Sequence, residues 1–287
     1  MGRIKVIRTE LPDSENTKSI FICEDVSDPN NKLLKKIHQG IKFDLVSCQF
    51  ALHYHFESQE RTHAFFKNVV DRLCDGGLFI CTIIDDNVLI KRLRQNQRKH
   101  FYGNTSNFLE PEENLELGNK FYSIKFHQNK FPKKDGPFGI KYGFFLEDSI
   151  GLGTIEKGDF NYVTEYLIVF EELVKICEQY DLHLVEKLNF TDFYKKYYLE
   201  ESGKNIEFRK IFHTMVKPKS LSDPSKAEQW EIAHLYQTVT FRKGTLPEQD
   251  QGNSGKKRTA KYVPYLNNFE ENLFKDMNPV LINRSFD

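Results

Sequence analysis

The sequence lacks the features that mark secreted, zinc-binding and membrane proteins. Its five cysteines form an odd set with no C-x-x-C pair, which argues against a disulfide framework and a zinc ribbon and favours a reducing compartment. No run approaches the roughly 18 consecutive apolar residues of a membrane helix, and the N-terminus has no apolar signal core. Neither sign of charge is in excess, because 41 Lys and Arg residues balance 41 Asp and Glu residues. This balance argues against a protein that coats nucleic acid by charge, although it is compatible with a local basic groove.

What the 287 residues do contain is a regular alternation of strand-like and helix-like segments. Short apolar runs predict buried strands at 19–24, 43–50 and 78–84. Amphipathic stretches predict helices at 29–40, 58–74 and 87–97. Strands and helices of these lengths in this order are typical of an α/β domain with a parallel sheet.

The pattern changes after this first portion of the chain. The segments 121–126 and 139–146 predict antiparallel strands, and therefore an antiparallel insertion. Further on, helices are predicted at 166–180, 192–199, 206–216 and 227–235, and strands at 183–190 and 236–243. Polar stretches without an apolar period predict little order at both ends of the chain. We therefore expect a poorly defined segment over 1–18, a domain over 19–243 and a low-order tail over 244–287.

Aromatic residues cluster directly after the predicted strand 43–50. In an open parallel sheet, ligands bind at the carboxyl ends of the strands, and this cluster lies at that end. Phe50, His53 and Tyr54 form a ledge that can stack on a planar base, since every base has a π-face. The alternative is that these aromatic residues pack under a loop. The nearby histidines have no cysteine partners at ligand spacing, so no metal site is expected.

The segment Phe43–Ser58 closely resembles the signature strand of the eukaryotic mRNA cap guanine-N7 methyltransferases, which reads F-D-x-x-S-x-Q-F-x-x-H-Y-x-F-E-S. Five further segments resemble motifs of that family in the same order, at 73–82, 118–126, 138–142, 165–170 and 230–236. The resemblance covers roughly residues 19 to 243, and six ordered motifs make it specific. It implies an α/β class I S-adenosylmethionine-dependent methyltransferase with a Rossmann-like sheet.

The resemblance also implies an activity, the transfer of a methyl group from S-adenosylmethionine to N7 of the 5′ guanine cap of mRNA. It implies capped RNA as the substrate and mRNA capping in the nucleus as the setting, with neither a metal nor a membrane. Guanine N7 is already a neutral nucleophile, so no catalytic acid or base is expected. Holding N7 in line with the methyl carbon and the sulfonium leaving group supplies roughly 7–11 kcal/mol of the rate enhancement.

Individual residues receive roles from the same resemblance. The cofactor-binding positions correspond to Asp25, Gln49 and Tyr54. The positions that line the cap pocket correspond to Phe50, His53, Tyr54, Glu165 and Tyr236. The resemblance assigns Glu165 to the Watson–Crick edge of guanine, where a carboxylate accepts from N1–H and N2–H₂. Other roles stay open, since Glu165 can be a helix N-terminal acid, Asp25 a turn residue and Tyr236 a packing residue of the sheet.

One departure from the family concerns the cofactor site. The family's first strand is followed by a glycine-rich D-x-G-x-G-x-G loop, and its second strand ends in an acidic residue. Nothing before Asp25 matches either feature. The chain is therefore expected to correspond to the C-terminal two-thirds of the catalytic domain, with an incomplete S-adenosylmethionine site. This expectation supports an alternative function, that of a catalytically inactive cap- or RNA-binding paralogue or fragment.

The same departure has a consequence for the sheet. In the family's strand order, the two unmatched strands lie between the strands predicted here at 19–24 and 43–50. Without them, the strand 43–50 has an open edge, which is an aggregation liability. We expect that the N-terminal segment pairs there, with Ile4–Arg8 as a strand, or that a protein partner covers the edge, or that it stays open.

Overall fold

The computed structural model describes residues 25–28, 42–103, 115–126, 136–200, 210 and 225–244. The chain divides into two units, Met1–Leu246 and Pro247–Asp287, and all of the described residues lie in the first. The predicted strand at 19–24 and the predicted helix at 29–40 lie outside the described residues, as does all but residue 210 of the predicted helix at 206–216. No described helix is long and apolar enough to cross a membrane.

The described part of the chain contains strands, α-helices and two shorter helices. The strands are β1 (Phe43–Gln49), β2 (Leu73–Ile84), β3 (Leu115–Gly118), β4 (Tyr122–Phe126), β5 (Lys141–Leu146), β6 (Val163–Tyr166), β7 (Leu182–Asn189) and β8 (Tyr236–Lys243). The α-helices are α1 (Gln59–Arg72), α2 (Asp86–Gly103), α3 (Phe170–Gln179), α4 (Phe190–Tyr194) and α5 (Ser225–Ala233). A 3₁₀ helix spans Leu52–Glu57, and a π-helix, Lys195–Glu200, continues α4.

The strands form two sheets. The first is mixed, with the order β1-β2-β8-β7, in which β1 and β2 are parallel and β8 is antiparallel to both neighbours. The second is antiparallel, with the order β3-β4-β5-β6. The predicted α/β class with an antiparallel insertion is confirmed, whereas the expected parallel sheet is corrected to a mixed one. Because β8 is antiparallel to β2, its first residue, Tyr236, pairs with Ile84, the last residue of β2. Tyr236 therefore lies at the end of the sheet where β1 and β2 terminate.

One predicted boundary is wrong at the junction of α1 and β2. The helix predicted over 58–74 ends at Arg72, and β2 begins directly after it. The two glycines that predict a helix end, Gly76 and Gly77, lie instead in an irregular stretch of β2, where the register with β1 shifts. Gly76 has a φ of +80°. Glycine suits an irregular strand pairing as well as a helix end, because it adopts conformations that strain other residues.

A second boundary is wrong before α3. The helix predicted over 166–180 begins only at Phe170, because residues 163–166 form β6. This strand pairs with β5 and places Glu165 opposite Tyr142. No turn residue in the sequence separates this short strand from the amphipathic helix that follows it. The apolar residues of the strand therefore fit the apolar pattern of the helix, and the predicted helix starts too early. Glu165 is therefore a strand residue, and its alternative role as a helix N-terminal acid is excluded.

Two hydrophobic clusters hold the elements together. In the first, Phe66 of α1 and Leu173 of α3 pack with Phe79 and Phe241 of the mixed sheet. In the second, residues of α2 pack with the antiparallel sheet, and Tyr236 at the start of β8 belongs to this cluster. The carboxyl ends of β1 and β2 in the mixed sheet therefore lie next to the antiparallel sheet.

Strand β1 lies at one edge of the mixed sheet as far as the described strands extend, where its partner is β2. Two large apolar side chains on β1, Phe43 and Leu45, are 42% and 52% exposed. The segment Ile4–Arg8 lies outside the described residues. The expectation that a further segment or a protein partner covers this edge therefore stays a prediction.

Candidate functional site

Several elements converge where β1 and β2 end. Phe50 directly follows β1, His53 and Tyr54 lie on the 3₁₀ helix, Glu165 lies on β6, and Tyr236 begins β8. The ring centroids of His53 and Tyr54 are 4.1 Å apart, and those of Phe50 and Tyr236 are 5.1 Å apart. Burial and, as a smaller effect, the charge of Glu165 raise the pKa of the phenols of Tyr54 and Tyr236. The structure thus brings together the five residues predicted for the cap pocket, while their ligand contacts stay predictions.

Glu165 is a nearly fully buried carboxylate, with 1% of its surface exposed. Its Oε2 accepts a hydrogen bond of 2.6 Å from the hydroxyl of Tyr142, whereas its Oε1 has no hydrogen-bond partner in the part of the chain that is described. Burial raises the pKa of Glu165 to about 7, although the Tyr142 hydrogen bond opposes that rise. A buried acceptor without a donor costs stability, and a ligand that supplies the donor removes this cost.

His53 faces this carboxylate without neutralising it. Burial, and after it the neighbouring His55, lowers the pKa of His53 to about 4. The imidazole is therefore uncharged at neutral pH. Its Nε2 lies 3.4 Å from Glu165 Oε1, but neither atom forms a hydrogen bond with any described residue. Above about pH 7, Glu165 is consequently negatively charged in the main, and His53 does not compensate that charge.

Tyr142 orients the carboxylate, and sequence reasoning does not single it out. It is buried on β5, opposite Glu165 in the β5–β6 pairing. Burial, and after it the charge of Glu165, raises the pKa of the Tyr142 phenol, so the hydroxyl stays a hydrogen-bond donor. The motif 138–142 contains this tyrosine, but the strand register, which a motif does not reveal, is what places its hydroxyl on Glu165.

Phe50 has an unusual backbone conformation. Its φ is +53°, in the left-handed region that bulky residues rarely adopt, at a cost of about 1–3 kcal/mol. Its N–H donates to the carbonyl of Thr82 at 3.3 Å. The residue is 48% exposed, and its ring lies beside that of Tyr236. A further ring that sequence reasoning missed, that of Phe190, lies 6.2 Å from Phe50 and 5.9 Å from Tyr236. Phe190 is the first residue of α4, directly after β7. Asn189 is a residue type that favours helix N-caps, but no local sequence signal shows that the Phe190 ring reaches Phe50 and Tyr236.

Two of the residues predicted for the cofactor follow one another closely here, Gln49 at the carboxyl end of β1 and Tyr54 on the 3₁₀ helix just beyond it. Gln49 is exposed, and its side chain accepts from Thr82 Oγ1 and donates to Ser47 Oγ at 3.0 Å. Tyr54 is 38% exposed. Exposed polar groups at the carboxyl ends of parallel strands are placed where open α/β sheets bind ligands, so both residues fit a cofactor at this edge.

Asp25, the third residue predicted for the cofactor, is engaged differently. Its Oδ1 accepts from the N–H and the hydroxyl of Ser27 at 2.9 and 2.8 Å, and its Oδ2 accepts from Arg61 Nη2 at 2.8 Å. Burial raises the pKa of Asp25, but the bonds from Ser27 and the charge of Arg61 outweigh it and lower the pKa. Arg61 also lies 3.4 Å from Glu57, at the opposite end of the 3₁₀ helix from Phe50. These contacts suit the turn-residue role, and the cofactor role of Asp25 stays a prediction.

The chemistry of the cluster is that of hydrogen bonding and stacking. Within the described ranges, no group of three or more His, Cys, Asp or Glu side chains is arranged to hold a metal ion. Cys48 lies on β1, but burial raises the pKa of its thiol to about 11, so it is not a thiolate at neutral pH. A buried carboxylate between aromatic rings suits a flat ligand that carries hydrogen-bond donors on one edge.

Comparison with known proteins identifies the family of this chain. The model of the mRNA (guanine-N(7))-methyltransferase domain matches residues 4–109 and 106–244. The chain belongs to this family. The resemblance seen in the sequence motifs is thereby confirmed, and the family's α/β methyltransferase fold agrees with the mixed sheet and its antiparallel neighbour.

Relatives with curated names are similar over most of the chain. It is 31% identical over 238 residues to mRNA cap guanine-N(7) methyltransferase 1 of Oryza sativa subsp. japonica, which covers 82% of this chain and 56% of that protein. It is 32% identical over 223 residues to mRNA cap guanine-N(7) methyltransferase of Drosophila melanogaster, which covers 71% of this chain and 46% of that protein. The chain thus spans about half the length of these curated relatives.

Solved structures show weaker similarity. One is an S-adenosylmethionine-dependent methyltransferase from Clostridium acetobutylicum, with 16% identity, a TM-score of 0.32, and coverage of 78% of this chain and 64% of that chain. Another is the CcbJ methyltransferase from Streptomyces caelestis, with 13% identity, a TM-score of 0.35, and coverage of 72% and 59%. Membership of the family rests on the family model and the curated relatives, not on these structures.

Proposed function

We propose that this chain transfers a methyl group from S-adenosylmethionine to N7 of the guanine that caps the 5′ end of mRNA. The observation that carries the proposal is the buried Glu165 carboxylate, which Tyr142 holds on one oxygen and which has no hydrogen-bond partner among the described residues on the other. Family membership, and the names of the curated relatives, support a methyltransferase over the alternative of a binding-only paralogue.

An ionised Glu165 suits the Watson–Crick edge of guanine. That edge presents donors at N1–H and N2–H₂, and a carboxylate only accepts, with about four lone-pair sites. Oε1 is open to one donor, and Oε2 keeps a lone pair beside the Tyr142 hydroxyl for the other. Adenine presents an unprotonated N1 at the corresponding place, which a carboxylate repels. The arrangement therefore favours guanine over adenine.

Aromatic rings around Glu165 suit the faces of the same base. His53 and Tyr54 lie on the 3₁₀ helix, and Phe50 and Tyr236 lie across the sheet edge. Stacking of one base on an aromatic side chain contributes about 1–3 kcal/mol. We place the guanine with its edge on Glu165 and its faces among these rings, so that the carboxylate supplies specificity and the rings supply affinity.

The chemistry requires positioning rather than acid–base catalysis. The N7 lone pair forms the new bond to the methyl carbon while the methyl–sulfur bond breaks, and the electron pair of that bond stays on sulfur. Methylation leaves a positive charge on the guanine ring. An ionised Glu165 at the ring edge stabilises that charge, and His53, whose pKa is lowered to about 4, adds no opposing charge at neutral pH.

The cofactor belongs beside the guanine at the same sheet edge. Bound S-adenosylmethionine supplies the methyl group. Gln49 and Tyr54 are proposed to hold it, because both are exposed at the carboxyl end of β1. The bonds of Gln49 to Thr82 and Ser47 fix the orientation of its amide in advance. Asp25 is proposed as a further contact, although its oxygens already accept from Ser27 and Arg61.

A matched pair of dinucleotides tests the proposed function. The full chain is titrated calorimetrically with guanosine-triphospho-adenosine and with its adenine-capped analogue, in which only the capping base differs. We expect the guanine compound to bind at least about 30-fold more tightly, and labelled methyl groups to pass from S-adenosylmethionine to that compound alone. Equal binding of the two dinucleotides, or transfer to neither, would overturn the proposal.

The setting of this activity is also a proposal. We infer that the natural substrate is capped RNA and that the chain acts in the nucleus, because cap methylation is the activity named for the relatives. A fluorescent fusion of the full chain is expected to accumulate in the nucleus. Uniform cytoplasmic fluorescence, with normal methyl transfer by the purified chain, would contradict the location and leave the activity intact.

A further inference from the structure

The aromatic part of the proposed guanine site contains a ring to which the family motifs give no role. The ring of Phe190 lies 6.2 Å from Phe50 at an interplanar angle of 81°, and 5.9 Å from Tyr236 at 37°. Phe50 and Tyr236 are themselves 5.1 Å apart at 83°. These separations are those of interacting aromatic pairs. On the basis of the proposed function, we propose that Phe190 is a positioning residue that holds Phe50 and Tyr236 in the arrangement that receives guanine.

The chain on both sides of Phe190 is held by buried and partly buried hydrogen bonds. Asn189 Nδ2 donates to Asp85 Oδ2 at 3.1 Å and to the carbonyl of His234 at 2.9 Å. Thr191 Oγ1 lies 2.6 Å from His234 Nδ1. His234 precedes Tyr236 by two residues, so the same bonds fix Phe190 relative to Tyr236. The fold therefore fixes the backbone on both sides of Phe190, from which its ring extends toward Phe50 and Tyr236.

Phe50 is the residue that most depends on such support. Its backbone is in the left-handed region, with a φ of +53°, and the residue is 48% exposed. An exposed ring on a strained backbone has other orientations available to it. Contacts with Phe190 and Tyr236 restrict those orientations before guanine arrives, and preorganisation of this kind increases affinity without any new contact to the ligand. Loss of Phe190 is therefore expected to weaken guanine binding through Phe50.

Phe190 also packs against the second hydrophobic cluster, so the test has to separate positioning from stability. Phe190→Leu keeps an apolar side chain and removes the ring. We expect it to weaken binding of guanosine-triphospho-adenosine by about three- to tenfold and to leave S-adenosylmethionine affinity within about twofold. Phe190→Tyr, which restores the ring, is expected to restore the affinity. Phe193→Leu on the same helix, where the ring packs 4.6 Å from Tyr197, is the matched control and is expected to change neither affinity.

A double-mutant cycle with Phe50→Leu provides the decisive measurement. If Phe190 acts through Phe50, the two losses of affinity overlap. The loss in the double variant is then smaller, by a factor of at least about three, than the product of the two single losses. Independent losses would overturn the proposal. Equal weakening of both ligands by Phe190→Leu, together with a lower melting temperature, would overturn it as well. Failure of the proposed function is distinguishable, because the unchanged chain would then show no preference for the guanine dinucleotide.

Discussion

The guanine side and the cofactor side of the proposed site are built differently. On the guanine side, Glu165 and Tyr142 are each 1% exposed, and the Tyr142 hydroxyl donates a hydrogen bond to Glu165. On the cofactor side, Gln49 and Asp25 are exposed, and Asp25 is bonded to Ser27 and Arg61. A buried group is fixed by its neighbours and gains much from a ligand, whereas an exposed group exchanges bonds with water. Single substitutions should therefore have large effects on guanine binding and small effects on cofactor binding.

The largest effect is expected from Glu165. Glu165→Ala removes the acceptor for both guanine donors and leaves the Tyr142 hydroxyl buried without its partner. Binding of guanosine-triphospho-adenosine should fall by about 100-fold or more, while S-adenosylmethionine affinity changes by less than about threefold. Calorimetric titration of both ligands measures the contrast. Glu165→Gln is the isosteric control for folding. An equal loss of both affinities would show that the two sides are not independent.

The next largest effect is expected from Tyr236, which is 9% exposed at the start of β8. Tyr236→Ala removes a ring from the guanine side and should weaken the guanine dinucleotide by about 10- to 100-fold. Tyr236→Phe keeps the ring and should stay within about threefold of the unchanged chain. Comparable losses in the two variants would mean that the hydroxyl, and not the ring, is what guanine requires.

A pH titration tests the charge on the guanine side. The pKa of Glu165 is raised to about 7 in the absence of ligand, and only its ionised form accepts from both guanine donors. Affinity should therefore rise about tenfold between pH 6 and pH 8 and then level off. His53 does not titrate in this window, because its pKa is lowered to about 4. Calorimetry across this range on the unchanged chain and on Glu165→Gln is the measurement. The variant should give a flat profile, and a flat profile for the unchanged chain would contradict the assignment.

The smallest effects are expected on the cofactor side. Asp25→Asn keeps the shape of a side chain that already accepts from Ser27 and Arg61, so S-adenosylmethionine affinity should fall by less than about threefold. Gln49→Ala, at the end of β1, should cost about tenfold or less. Guanine affinity serves as the internal control for both variants. A loss above about tenfold for Asp25→Asn would show that the cofactor replaces the Ser27 and Arg61 contacts, and the contrast between the two sides would then disappear.

Much of the mixed sheet is predictable from local sequence. Strand β8 is predicted with the bounds that it has in the structure, Tyr236–Lys243, and β1 differs from its prediction by one residue. Strand β8 is rich in aromatic and β-branched residues, β1 contains several apolar residues, and both segments have clear ends, which is a strong local signal for a strand. Strand β6 was not predictable, because four residues next to an amphipathic helix carry no period of their own. The antiparallel direction of β8 was not predictable either, since direction depends on the path of the whole chain.

The sequence predicts which residues belong to the proposed site better than it predicts the contacts that surround them. Motif resemblance names Glu165, but its bond to Tyr142 depends on the register between β5 and β6. The contact of Phe190 with Phe50 and Tyr236 depends on Asn189, the N-cap of α4, whose side chain donates to the carbonyl of His234. In each case a partner distant in sequence decides the geometry. Asp25 combines both kinds of contact, because its bonds to Ser27 are local and its bond to Arg61 is not.

The place of β8 in the sheet has a consequence for how the chain is made. It is the last described strand in sequence, yet it lies between β2 and β7. On the ribosome, β2 and β7 emerge first, and each presents an unpaired side until residues 236–243 follow. When β8 pairs with β2 and β7, it joins the two parts of the sheet and brings Tyr236 into contact with Phe50. A nascent chain is therefore expected to form the proposed guanine pocket only after residues 236–243 have been made, and a chain that ends before β8 would leave β2 and β7 with unpaired sides.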